Sequence, residues 1–201
     1  RDTCRVVDNP ALNLATRIAN ERDALVVPLA CLEPRRWADQ QFGMPRTGSH
    51  WARFRSESLQ ALRGDLIARG SGLWVSAQEP VYALNRINSS VNVIKVVCDR
   101  PLATEERLEN ARIEAEGYPV VTHDVDDLFR FEQLPFELDE LPATFSKFRK
   151  IVEKKPGLVP DPAVEMHELT PCMEQPWPDP VEWIETFDSR LSTQAEVETY
   201  G

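Results

Sequence analysis

Residues able to do chemistry are sparse in this chain of 201 residues. The histidines, His50, His123 and His167, stand far apart, and none falls in a recognisable nucleophile–base arrangement. THDVDD gathers His123, Asp124, Asp126 and Asp127, a set that could hold a hard cation; the plainer reading, an acidic turn at a strand end, is preferred. GxGxxG, GxxxxGK(S/T), HExxH and GxSxG do not occur, so the ordinary phosphate-loop, zincin and hydrolase signals are missing. Cys4, Cys31, Cys98 and Cys172 form no CxxC pair, which fits reduced thiols of a cytosolic protein better than a zinc or dithiol site. Glu105 and Glu106, in ATEER, open a helix, where carboxylates ordinarily stabilise the positive end of the helix dipole.

The elements that must position these residues follow from hydrophobic spacing. Asp8-Asn9-Pro10 is a helix start, and ALNLATRIA continues it with Leu12, Leu14 and Ile18 available to a core. ALVVPLACL, residues 24–32, is a continuous apolar run and predicts a strand covered on both faces. Residues 49–69 predict a helix whose Trp51, Phe54, Leu59, Leu62 and Leu66 recur at helical spacing, stopped by Gly70 and Gly72. SGLWVSA then predicts a strand, PVYALNRI a short helix, and VNVIKVVCD, residues 91–99, a buried strand rich in β-branched residues. TEERLENARIEAEG predicts a helix capped by Thr104 and ended by Gly117, and YPVVTHDV one more strand. This alternation selects an α/β fold: a Rossmann-like, doubly wound parallel sheet with helices on both faces.

Such a sheet binds ligands in the crevice beyond the carboxyl ends of its strands. The loops placed there are CLEPRRWADQQFGMPRTG, which carries Gln40, the segment from Ala77 to Pro80, and CDRPLATEE. The first is long enough to be functional rather than a bare connector.

Texture changes after Phe136. LPATFSKFRKIVEKK is a basic helical segment, and the seven prolines between Pro156 and Pro180 exclude any long regular element. The chain therefore divides into an α/β domain, residues 1–155, and a Pro-rich acidic extension, 156–201, in which Trp177, Trp183, Ile184 and Phe187 are available to dock. From Val159 to Gly201 there are ten acids against Arg190 alone, which leaves 23 acids and 22 bases for the rest. A near-neutral body with an acidic tail lacks the cationic surface that nucleic acid requires, so no direct nucleic-acid binding is expected. No apolar run reaches the length of a membrane span, so no membrane contact is expected either, and the compartment read from the cysteines is cytoplasmic.

Several ordered segments resemble the photolyase and cryptochrome family. RDTCRVVDNPAL is similar to an Arg-x-Asp-Leu-Arg-x-x-Asp-Asn segment of that family, with Thr3 at the Asp and Cys4 at the Leu. FGMPRTG with its following long helix, and LFRFEQLPF followed by LPATFSKFRKIVE, resemble the cryptochrome DASH branch, so the resemblance covers roughly residues 1 to 155. It implies a central strand just ahead of the matching Arg1, which this sequence does not include. Without that strand, unpaired sheet edges would favour a homo-oligomer.

The resemblance also implies a function. In folate-using relatives this α/β domain holds an antenna chromophore, 5,10-methenyltetrahydrofolate, against a helical domain that carries FAD. Glu106 matches the acidic residue that hydrogen-bonds the pterin, Glu105 a neighbouring polar contact, and Gln40 a position where some relatives have His. The expectation is a light-harvesting domain with no catalytic residues and no FAD of its own, incompetent for photorepair alone and partnered by an FAD-binding helical domain in cis or in trans. Two alternatives stand beside it: a stand-alone ligand or protein-interaction module whose acidic tail docks a partner, and a fragment of a complete flavin-dependent photolyase.

Overall fold

The computed structural model describes residues 3–33, 40–41, 44–123, 129, 133–158 and 169–173, with residues 40, 41, 44, 45 and 49 described by backbone only. The first helix, α1 (Pro10–Glu21), starts as its sequence predicts: Asn9 caps it by accepting the Leu12 N–H at 3.0 Å, with Pro10 at the first helical position. Its fully buried residues are Ala11, Thr16 and Ala19, while Leu12, Leu14 and Ile18 are only half-buried. The small residues of α1 face inward, and the larger ones flank them.

Strands β1 (Leu29–Cys31) and β4 (Trp74–Ser76) pair in parallel, with Leu29 opposite Trp74 and Cys31 opposite Ser76. Between them lie the antiparallel ribbon of β2 (Gln40–Gln41) and β3 (Met44–Pro45) and the long helix α2 (Ser49–Ala68). After β4 come α3 (Pro80–Asn88), β5 (Val96–Asp99), α4 (Thr104–Ala115) and β6 (Val120–His123), with β5 and β6 also parallel. A 3₁₀ turn (Leu138–Glu140) and α5 (Phe145–Val152), capped by Thr144, follow.

Helices cover both faces of these strands, as the alternation predicts. Leu59 and Leu66 of α2 pack with Ala30, Leu32 and Val75 on one face, joined by Leu12 of α1. On the other face Ile87 of α3 meets Trp74, and Leu84 and Ile113 pack with Tyr118. The strands are shorter than their apolar runs because β1 and β5 each pair with one neighbour among the described residues, which divides the parallel strands into two pairs.

Two expectations are corrected. Trp51 and Phe54 are 41% and 67% exposed and not part of the core. The buried stripe of α2 runs through Ala52, Arg55, Leu59 and Leu66 with Leu62 half-buried, so both aromatics sit one residue, about 100°, away from it. Thr104 is not the cap of α4 but its first helical residue, and a neighbouring carboxylate performs that role. Part of the proline-rich extension is docked: the Leu169 N–H donates to the Arg69 carbonyl at 3.1 Å, Thr170 Oγ1 accepts the Val26 N–H at 3.0 Å, and Leu169 enters the core. Trp177, Trp183, Ile184 and Phe187 lie outside the described residues. Among the described residues, no helix is long and apolar enough to cross a membrane.

Candidate functional site

The carboxyl ends of the strands form one rim, and the first turn of α4 stands on it. The Arg100 N–H donates to the His123 carbonyl at 2.9 Å, so the turn leading into α4 is fixed to the end of β6. Ala103 offers no side-chain acceptor for the orphan N–H groups of the first turn. Glu106 supplies one by reaching back: its Oε2 accepts the N–H of Leu102 at 3.0 Å and of Ala103 at 3.2 Å.

Glu105, one residue earlier, points elsewhere and forms an ion pair with Arg46, their side chains 57% and 33% exposed. Arg46 directly follows Pro45, which pairs with Gln40 across the ribbon. The Arg46–Glu105 contact therefore brings the ribbon that carries Gln40 up to the start of α4. Glu105 is thus linked to the ribbon through Arg46, Glu106 is turned back onto its own helix start, and the Gln40 side chain lies outside the described residues.

Inside that rim is a cavity of about 570 Å³ between β1 and β5. Its deeper end is apolar, walled by Val26, Leu29, Val91 and Val93, and its rim end is polar, walled by Cys31, Glu33, Asp99, Arg55, Glu109 and Asn110. Glu105 and Glu106 do not line it. Thr3 Oγ1 donates to Asp99 Oδ2 at 2.7 Å, and Arg55 Nη1 donates to Cys4 Sγ at 2.8 Å, so the first described residues of the chain cross the rim end. Burial pushes the Cys31 thiol up to about 12, with the carboxylates of Glu33 and Glu109 adding to the shift. Burial also raises the Cys172 thiol, against a backbone contact from Gly72 and a side-chain contact from Trp74 that lower it.

Sequence reasoning missed this polar wall. Its signal was present in α4, where Glu109, Asn110 and Ile113 are all buried and share the inward face at offsets of one and four. An acid and an amide on the apolar face of a helix mark a polar environment beneath it. The cation set singled out from sequence is not assembled within the described residues: His123 closes β6, while Asp124, Asp126 and Asp127 lie outside them. Among the described residues no group of three or more His, Cys, Asp or Glu could hold a metal ion. What the rim can do is accept hydrogen bonds and pair charge.

These features define a class: an α/β domain of parallel strands, covered by helices on both faces, with carboxylates placed at the strand ends where such folds receive ligands. The sequence model of the DNA photolyase family matches residues 1–167, and the chain belongs to that family. It is 31% identical over 158 residues to the blue-light photoreceptor PHR2 of Arabidopsis thaliana, covering 77% of this chain and 34% of that protein. It is 29% identical over 191 residues to the cryptochrome DASH of Natronomonas pharaonis, covering 93% of this chain and 39% of that one. Among solved structures it is similar to the Synechocystis cryptochrome, with a TM-score of 0.78 at 25% identity over 90% of this chain and 38% of that one. It shares the fold of an archaeal photolyase from Sulfolobus tokodaii, with a TM-score of 0.72 at 20% identity over 94% of this chain and 40% of that one. The chain spans about a third of the length of the curated relatives it matches, 34% of the PHR2 protein for example.

Proposed function

We propose that this chain is the light-harvesting half of a photolyase or cryptochrome, holding an antenna chromophore at the rim of its α/β domain rather than carrying out photorepair itself. The observation behind this reading is the placement of Glu105 and Glu106 in the first turn of α4, at the carboxyl ends of the strands and beside the ribbon that carries Gln40. A carboxylate there can accept N–H donors from the edge of a pterin, and the charge-assisted bond is about twice as strong as a neutral one. 5,10-Methenyltetrahydrofolate is the proposed chromophore.

In this reading FAD and the redox chemistry reside in a helical domain, joined to the chain or supplied by a partner, and excitation energy passes to it from the folate. The free thiols Cys4, Cys31, Cys98 and Cys172 suit a reducing cytoplasm. Reconstitution with methenyltetrahydrofolate, followed by desalting, tests the proposal. Near-ultraviolet absorbance retained by the wild-type chain and lost on replacing Glu106 supports it, and absence of retained absorbance refutes it. Parallel reconstitution with FAD distinguishes a pterin site from a second flavin site.

A further inference from the structure

Helix α5 is amphipathic, and only part of its apolar face is covered. Phe145, Phe148, Ile151 and Val152 fall within about 120° of one another around the helix. Val152 is buried, and the Phe148 ring lies against Phe129 and Phe136, with centroids 6.0 and 5.9 Å apart. Phe145 stacks on Phe148 at 6.3 Å but is itself 73% exposed, and Ile151 is 40% exposed on the other flank. Beside Ile151 runs a stripe of three exposed cations, Lys147, Lys150 and Lys154. Arg149 is engaged by Glu153 at 3.4 Å and Lys155 by the Gln133 carbonyl at 3.1 Å, whereas these three lysines have no ion-pair partner among the described residues.

We infer that this face of α5 is the docking site for the chain's own residues 181–191, VEWIETFDSRL. No proline follows Pro180, and Trp183, Ile184, Phe187 and Leu191 recur at helical spacing within about 100° of one another. Glu182, Glu185 and Asp188 border that stripe. An acidic segment with one apolar stripe therefore meets a basic helix with one uncovered stripe, so burial and charge favour the same pairing.

Reach permits it. The Met173 carbonyl is held by Trp74 Nε1 at 2.9 Å, and Trp183 comes ten residues later, enough to span about 33–36 Å. A domain of this size has a radius of gyration of about 15 Å. A short tether also holds the segment at an effective concentration on the order of millimolar, far above that of a second copy in dilute solution, so even weak contacts close it. A membrane surface is the poorer occupant: interfacial helices bury a whole apolar face in lipid, and α5 has only eight residues, with Val152 and Phe148 already turned to the protein. This inference rests on α5 and the acidic segment and stands whether or not the rim binds a pterin.

The full chain tests it with two measurements, carbodiimide cross-linking mapped by mass spectrometry and amide hydrogen exchange. The expected result is cross-links within the monomer from Lys147, Lys150 or Lys154 to Glu182, Glu185 or Asp188. Amides of residues 183–191 should exchange on the order of 10-fold more slowly than in the isolated peptide. Phe145→Ser combined with Ile151→Ser should abolish that protection while leaving the amides of β1 and β5 unchanged. Trp183→Ser, made on the segment itself, provides a second variant and should abolish protection at Phe187 and Leu191. Peptide-like exchange across 183–191 in the wild-type chain overturns the inference, as does protection that survives either variant. Cross-links found only in dimers overturn it in favour of a second copy. Flotation of the chain with phosphatidylglycerol vesicles, lost in the Phe145/Ile151 variant and without the internal cross-links, overturns it in favour of a membrane.

Discussion

Glu106 is the residue at which structural and ligand-binding roles can be separated by two substitutions. Its Oε2 accepts two backbone N–H groups at the start of α4. Glu106→Leu removes that acceptor, and loss of a cap of this kind costs about 1 kcal/mol, within a range of about 0.5–2. Losing the favourable charge at the helix start adds about 0.3–1 kcal/mol. At about 2–4 °C per kcal/mol for a protein of this size, the melting temperature should fall by roughly 3–10 °C. Glu106→Gln keeps a carbonyl oxygen able to serve the cap, since Gln occupies this position in capping boxes as readily as Glu, and loses only the charge. Its melting temperature should therefore fall by no more than about 1–4 °C. Binding should not follow the same order. A pterin N–H donated to a carboxylate is worth about 1.5–3 kcal/mol, and Gln presents an amide donor where the ligand also donates, so both variants should bind folate roughly 10- to 150-fold more weakly. Thermal unfolding followed by circular dichroism and equilibrium dialysis against methenyltetrahydrofolate read the two effects separately. A Glu106→Gln protein that binds as tightly as wild type would refute the ligand role, and a Glu106→Leu protein that melts with wild type would refute the cap.

Other substitutions separate weaker from stronger contributions. Arg46→Ala breaks a surface ion pair with Glu105 and should cost no more than about 1 kcal/mol, an effect that disappears in 1 M salt when melts are repeated at low and high ionic strength. Cys31 titrates near 12 in the folded protein against an ordinary value of 9.0, so its contribution is fully present below about pH 9 and is lost as pH rises toward 12, by up to about 4 kcal/mol. Cys31→Ala should flatten that alkaline fall in chemical denaturation, and the wild-type thiol should resist alkylation at pH 8 until the protein unfolds. Trp74→Phe removes the indole donor to the Met173 carbonyl, a 2.9 Å bond, and should cost about 1–3 kcal/mol while exposing residues 169–173 to limited proteolysis.

The elements read most directly from sequence were those whose signals are local. Asn9 and Pro10 start α1 through a side-chain hydrogen bond and a fixed φ, both specified within four residues. The apolar runs around Leu29, Trp74, Val96 and Val120 mark the strands because a sheet covered on both faces has no polar side to alternate with. Where the reading fell short, the deciding interaction was remote or ambiguous in period. In α2, Trp51 and Phe54 fit a helical repeat almost as well as Ala52 and Arg55, and only the facing β1–β4 pair selects the second set. In α4, Thr104 and Glu106 could each cap, and the backbone path through Pro101 and Leu102 gives the role to Glu106. Buried Glu33, Arg55 and Glu109 come from three elements far apart in sequence, so their meeting at one wall has no local signature.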